Sequence, residues 1–124
     1  MDAYGRPRMA AKFKYYQQLI RVLKTKCPAA YPVSVRRVKL AQFEGRCWKH
    51  GKKFHIQIDS KLDEGRAMDV LLHEWAHARA WNHRLDAAET DEAFNKLSHD
   101  AAWGVAYAEV YVIYEKVFTH QTVA

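Results

Sequence analysis

The sequence predicts a single α+β domain: one helix, a small sheet, then further helices. Three features carry this: an apolar stripe at helical spacing over residues 9–27, strand-like alternation between Val33 and Asp59, and helical periodicity again after Asp63. At 124 residues and 49% hydrophobic content, the chain is long enough for one core and too short for two. No repeat, low-complexity tract or linker divides it.

In chain order, Met9, Phe13, Tyr16, Ile20, Leu23 and Cys27 recur at spacings of four and three, with Lys12, Lys14, Arg21 and Lys24 off the stripe. This is an amphipathic helix ended by Pro28, and residues 1–8 ahead of it are expected to be flexible. Val33 and Val35 alternate, the register slips at Arg36 and Arg37, and Val38 and Leu40 continue, which predicts a strand with a bulge. Glu44 and Gly45 should turn the chain into a short strand around Cys47 and Trp48. The segment KHGKK supplies the next turn, and FHIQID sets Phe54, Ile56 and Ile58 against His55, Gln57 and Asp59. The expected sheet has three antiparallel strands. A helix follows, with Asp63 as N-cap and Asn82 as stop; Thr90 caps a short helix through Leu97, and a last helix spans about 100–118.

Composition narrows the function. No apolar run approaches the roughly 18 residues of a membrane span, and the N-terminus lacks the order of a secretory signal, so a cytoplasmic protein without membrane contact is expected. Cys27 and Cys47 form no C-x-x-C pair, which excludes a cysteine zinc ribbon and predicts reduced thiols. Charge is uneven: residues 1–61 hold 15 Lys/Arg against 3 Asp/Glu, and residues 62–124 hold 5 against 11. The basic half could meet a polyanion such as nucleic acid, or could be a solvated face that balances the acidic half.

The chemistry concentrates in HEWAHARAW, residues 73–81. On a helix, Met68, Leu71, Leu72, Trp75 and Ala78 share one arc, while His73 and His77 lie together on the other side, one turn apart and within reach of one ion. Glu74 projects about 100° round from them, where it can meet a water without being a ligand. A catalytic zinc needs a third protein ligand and an open position. Candidates downstream are His83, Asp86, Glu89, Asp91, His99, Asp100 and Glu109. His83 follows His77 too closely to swing back, and Glu109 points away from the stripe Trp103, Tyr107, Val110, Tyr114, Val117. Extended back one turn, that stripe reaches His99, the favoured ligand, with adjacent Asp100 the alternative. His50, His55 and His120 sit in turn, strand and tail contexts that speak for exposure.

LLHEWAHARAW followed by HDAAWGVAYAEVY resembles the SprT-like zinc metallopeptidases, the Spartan-type family, and in particular its small, phage-borne kind. The resemblance covers residues 33–118. It implies a zincin-like minimal metallopeptidase core filling one domain, with Zn2+ held by His73, His77 and His99 and with Glu74 as catalytic residue. Asp100 stands where the family usually has glycine, and no zinc ribbon or DNA-binding tail follows the core.

The expected reaction is hydrolysis of a peptide bond in a protein or peptide substrate, including DNA-associated proteins. Zinc would acidify a water and polarise the scissile carbonyl while Glu74 moves the proton to the leaving amine. By resemblance to zincins, FHIQID offers a free edge to an extended substrate, bringing His55 and Gln57 alongside it. Tyr107 or Tyr111 could donate to an oxyanion, or simply pack. Asp69 or Asp100 could orient a ligand imidazole. Two other readings compete: a basic nucleic-acid-binding module with a structural zinc, and a metal-free interaction protein.

Overall fold

The structure, a computed structural model, describes residues 13–122. The expectations for residues 1–8 and Met9 lie outside the described residues, as does the side chain of His120. The elements are α1 (Lys14–Lys26), β1 (Val33–Val38), β2 (Gly45–His50), β3 (Lys53–Asp59), α2 (Glu64–Arg79), α3 (His83–Asp86), α4 (Asp91–Ser98) and α5 (Ala101–Thr122).

The stripe of α1 buries Tyr16, Leu19, Leu23 and Cys27, with Leu19 taking the inward place expected for Ile20, which is half-buried. No side chain of its own caps the helix. Instead Glu64 reaches over from α2, and its Oε2 accepts the Tyr15 and Tyr16 amides at 3.0 and 3.1 Å. A carboxylate there satisfies amides that a helix start leaves unpaired.

The sheet departs from expectation. Its order is β1-β3-β2, with β2 antiparallel to β3 but β1 parallel to it. Alternation tells which face of a strand is buried and says nothing of its direction, so the sequence pattern was blind to this. A tight turn with Gly51 at φ +61° makes β2 and β3 a hairpin. The bulge is also absent: β1 keeps one register from Val33 opposite Phe54 to Val38 opposite Asp59. Arg37 takes an inward position without a slip because its guanidinium lies 3.8 Å over the Phe13 ring and donates to the Ser60 carbonyl at 2.9 Å. Gly45, expected in a turn, begins β2.

Helix α2 is central, with β2 and β3 packed on it as well as α1 and α5. Its arc of Met68, Leu71, Leu72, Trp75 and Ala78 is buried as the periodicity predicted. Asp63 caps it, accepting from Arg66 N–H at 2.8 Å. Trp75 Nε1 and Arg79 Nη1 donate to the carbonyls of Cys27 and Pro28, both at 2.7 Å, tying its far half to the exit of α1. The helix stops at Ala80, and Asn82 caps α3 through Arg84 N–H. Thr90 caps α4 as expected, and Asp100 caps α5, accepting from Trp103 N–H at 3.0 Å. No helix of the described residues is long and apolar enough to cross a membrane, and Cys27 and Cys47 are free thiols.

Candidate metal centre

His73 and His77 stand one turn apart on α2, facing the junction of α4 and α5. His99 is the C-cap of α4, one residue before the cap of α5, so the chain reverses at the point where its imidazole swings onto α2. It is a junction residue; the last helix begins only at Ala101.

The three rings converge. His73 Nε2 is 3.1 Å from His77 Nε2 and 3.4 Å from His99 Nε2, and the ligand atoms of all three lie within 4.8 Å of one another. Tetrahedral coordination at about 2.0–2.1 Å sets ligand nitrogens roughly 3.3–3.4 Å apart, close to the two separations measured from His73. The tautomers fit as well. His99 Nδ1 lies 3.1 Å from the Asn95 carbonyl, which can only accept, so this nitrogen carries the proton and Nε2 presents a lone pair. Burial, then the neighbouring rings, push His77 down to about 3, with a Ser98 backbone hydrogen bond opposing. Burial, His99 and Arg66 lower His73 too. Neutral imidazoles whose lone pairs point at one another repel unless a proton or cation sits between them. These residues fit a divalent metal ion, and among the described residues no other His, Cys, Asp or Glu joins the group.

Trp103 underlies the cluster, its ring 5.0, 5.5 and 5.1 Å from those of His73, His77 and His99. It sits four residues past His99, on the same side of the chain's path, and its indole Nε1 donates to the His73 carbonyl at 3.4 Å. Sequence reasoning took it only as a core residue.

Glu74 is buried beside the cluster, and burial pushes its carboxyl up to about 7. Two cavities, of about 670 and 510 Å3, meet where Phe43, Gly45, His73 and Glu74 line both, making one groove across the centre. The larger arm runs past Arg66, Asp69, Tyr107 and Tyr111; the smaller runs past Arg46, Cys47, Phe94 and His99. Gly45 allows β2 to approach so closely, since a Cβ there would meet Val70 Cγ1 at 2.5 Å and Glu74 Cγ at 3.3 Å. A glycine inside a strand is the sequence signal for such an approach. The exposed Phe43 is held in a loop anchored by Glu44, which takes two hydrogen bonds from Arg66 at 2.6 and 2.7 Å.

Other expected residues fall as follows. Tyr107 and Tyr111 wall the larger arm, and burial, with Asp69 and Tyr111, raises the Tyr107 phenol. Asp69 lines that arm without a hydrogen bond to His73 among the described residues. Asp100 gives its carboxylate to the α5 N-terminus, and no described residue other than glycine has positive φ, so aspartate serves at that position without strain. His55 and Gln57 line neither arm of the groove, because they alternate with the buried Phe54, Ile56 and Ile58 and lie on the opposite sheet face; β3 is the middle strand with both edges paired, so the free edges are those of β1 and β2, and β2 is the one beside the groove. Among the rejected ligands, Asp86 binds Lys49 and Trp81, and Glu109 pairs with Arg79.

Fold and site together define an α+β protein with a three-histidine group spaced to hold a metal ion. Comparison with family models, curated proteins and solved structures finds no match for the chain.

Proposed function

We propose that the chain is a zinc-dependent metallopeptidase of the SprT-like, zincin kind, hydrolysing peptide bonds in protein or peptide substrates. The observation that carries the reading is the convergence of His73, His77 and His99 beside a buried Glu74 in an open groove. A zinc ion held by the three imidazoles would supply Lewis acidity toward a carbonyl oxygen and a water.

The chain's own groups supply the rest. Glu74, lifted toward neutral pH by burial, takes a proton from the attacking water as its oxygen bonds to the scissile carbon, then delivers it to the amine nitrogen as the C–N bond breaks. Tyr107 and Tyr111 offer hydroxyl donors on the wall of the larger arm, and the raised Tyr107 phenol keeps its proton. Extended substrate pairs with the open edge of β2, whose Gly45, Arg46 and Cys47 line the groove. A purely structural zinc would leave Glu74 and both arms without a task.

The test is cleavage of an unfolded protein by the purified chain. Chelation abolishes activity and equimolar zinc restores it. Glu74→Gln keeps its zinc and loses at least about a hundredfold in rate; a variant that cleaves as fast as wild type refutes the assignment.

A further inference from the structure

The face of the sheet turned away from α2 carries a pattern of its own, which meets the groove only at Arg46. Strand register aligns its outward residues in three rows: Arg36, Gln57 and Arg46; then Ser34, His55 and Trp48; then Lys53 and His50. Rows follow one another at about 7 Å, twice the rise per residue. The outer rows are cationic. Arg36, Arg46 and Lys53 are exposed, and none forms an ion pair among the described residues.

The middle row is aromatic. Trp48 and His55 stack across the strands with centroids 5.2 Å apart and planes at 18°. The Arg46 guanidinium lies 5.0 Å from the Trp48 centroid and is steadied by a 2.7 Å hydrogen bond from Nε to Gln57 Oε1. On the β1 side His55 has only Ser34 as its row neighbour, so no bulky side chain of the row walls that ring. Among the paired strand residues the one acid on this face is Asp59, which is buried and accepts from the Leu40 and Lys61 amides.

We propose that this sheet face binds single-stranded nucleic acid, with phosphates on the two cationic rows and bases against the Trp48–His55 pair. An acidic peptide would use the cations and leave the rings idle. A duplex hides its base faces within its own stack. Only an unpaired strand presents both anionic backbone and open π-faces at this spacing. The inference does not rest on the peptidase reading: the face lies across the sheet from α2 and needs no metal.

The experiment is binding of a fluorescent oligothymidylate to the full chain, followed by anisotropy. The single strand binds more tightly than a duplex of equal length. Three phosphate contacts make its affinity fall roughly twentyfold between about 50 and 200 mM salt. Trp48→Leu weakens binding roughly tenfold or more, with His55→Ala as second variant should the first fail to fold. The pair Arg36→Glu and Lys53→Glu removes binding, while the same charge change on α1, Arg21→Glu with Lys24→Glu, costs far less. Circular dichroism and Tm verify each fold. No binding at low salt overturns the proposal; so does equal loss from the α1 pair, duplex or polyglutamate binding as tight as the single strand, or unchanged binding when both rings are tested.

Discussion

Gly45→Ala should destabilise the protein, although the same change at an ordinary strand position is neutral or stabilising through the unfolded chain. The added Cβ would lie 2.5 Å from Val70 Cγ1, 3.2 Å from the Gln57 carbonyl oxygen and 3.3 Å from Glu74 Cγ. Carbon pairs rest at about 3.5–4.0 Å, so Val70 must retreat by roughly 1 Å. It has little freedom to do so: Val70 is buried, and a helical valine holds one strongly preferred rotamer. The Gln57 carbonyl belongs to the middle strand and cannot yield either. Overpacking of this kind costs about 1–3 kcal/mol. For a domain of this size that is a fall of roughly 4–12 °C in Tm. Thermal and denaturant unfolding measure it, and Val70→Ala provides the control. Removing Cγ1 relieves the contact, so the double variant should lose less than the sum of the single ones, with a coupling of at least about 1 kcal/mol. Wild-type stability for Gly45→Ala, or strict additivity with Val70→Ala, would refute the close approach of β2 to α2.

Three further outcomes follow from the same geometry. His99→Ala should bind zinc far more weakly, seen by competition with a chromogenic chelator, and should lose most of the added stability, about 2.7 kcal/mol at a hundredfold excess over Kd, that zinc gives the wild type. Trp103→Leu keeps all three ligands but removes the ring beneath them, so zinc affinity should drop about 10–100-fold; unchanged affinity would make Trp103 a packing residue only. In chelated protein Glu74 is raised to about 7 by burial, so its contribution is fully present below the unfolded value near 4.5 and is lost as pH rises through 7. Chelated Glu74→Gln should therefore exceed chelated wild type by up to roughly 3 kcal/mol above pH 7, the gap closing below about pH 4.5; a gap independent of pH would contradict this.

Much of the site was legible because it is local. A pair of histidines four apart on a helix shares one face whatever surrounds it, and the glutamate between them must project to the side. Capping was legible for the same reason, with Asp63 and Thr90 each bonding the amide three residues on. His99 was reached by extending the stripe of the last helix, and it does lie beside His73 and His77, but at a junction outside that helix rather than on its first turn. Gly45, Trp103 and the loop bearing Phe43 join the site through contacts made over tens of residues, which no local periodicity records. Arg37 misled because a charge was assumed to face solvent, whereas its guanidinium lies over an aromatic ring.

The sequence by itself determined where the main helices and strands lie, which of their faces are apolar, and which side chains could ligate a metal, since these follow from spacing along one element; the short α3 and the start of β2 at Gly45 escaped it. The direction of β1, the middle place of β3 and the free edge of β2 were decided only in three dimensions, because two strands with the same alternation pair equally well in either sense until loops and a shared core select one. The gathering of three imidazoles from α2 and the α4–α5 junction is likewise a tertiary event, set by the packing of α5 on α2.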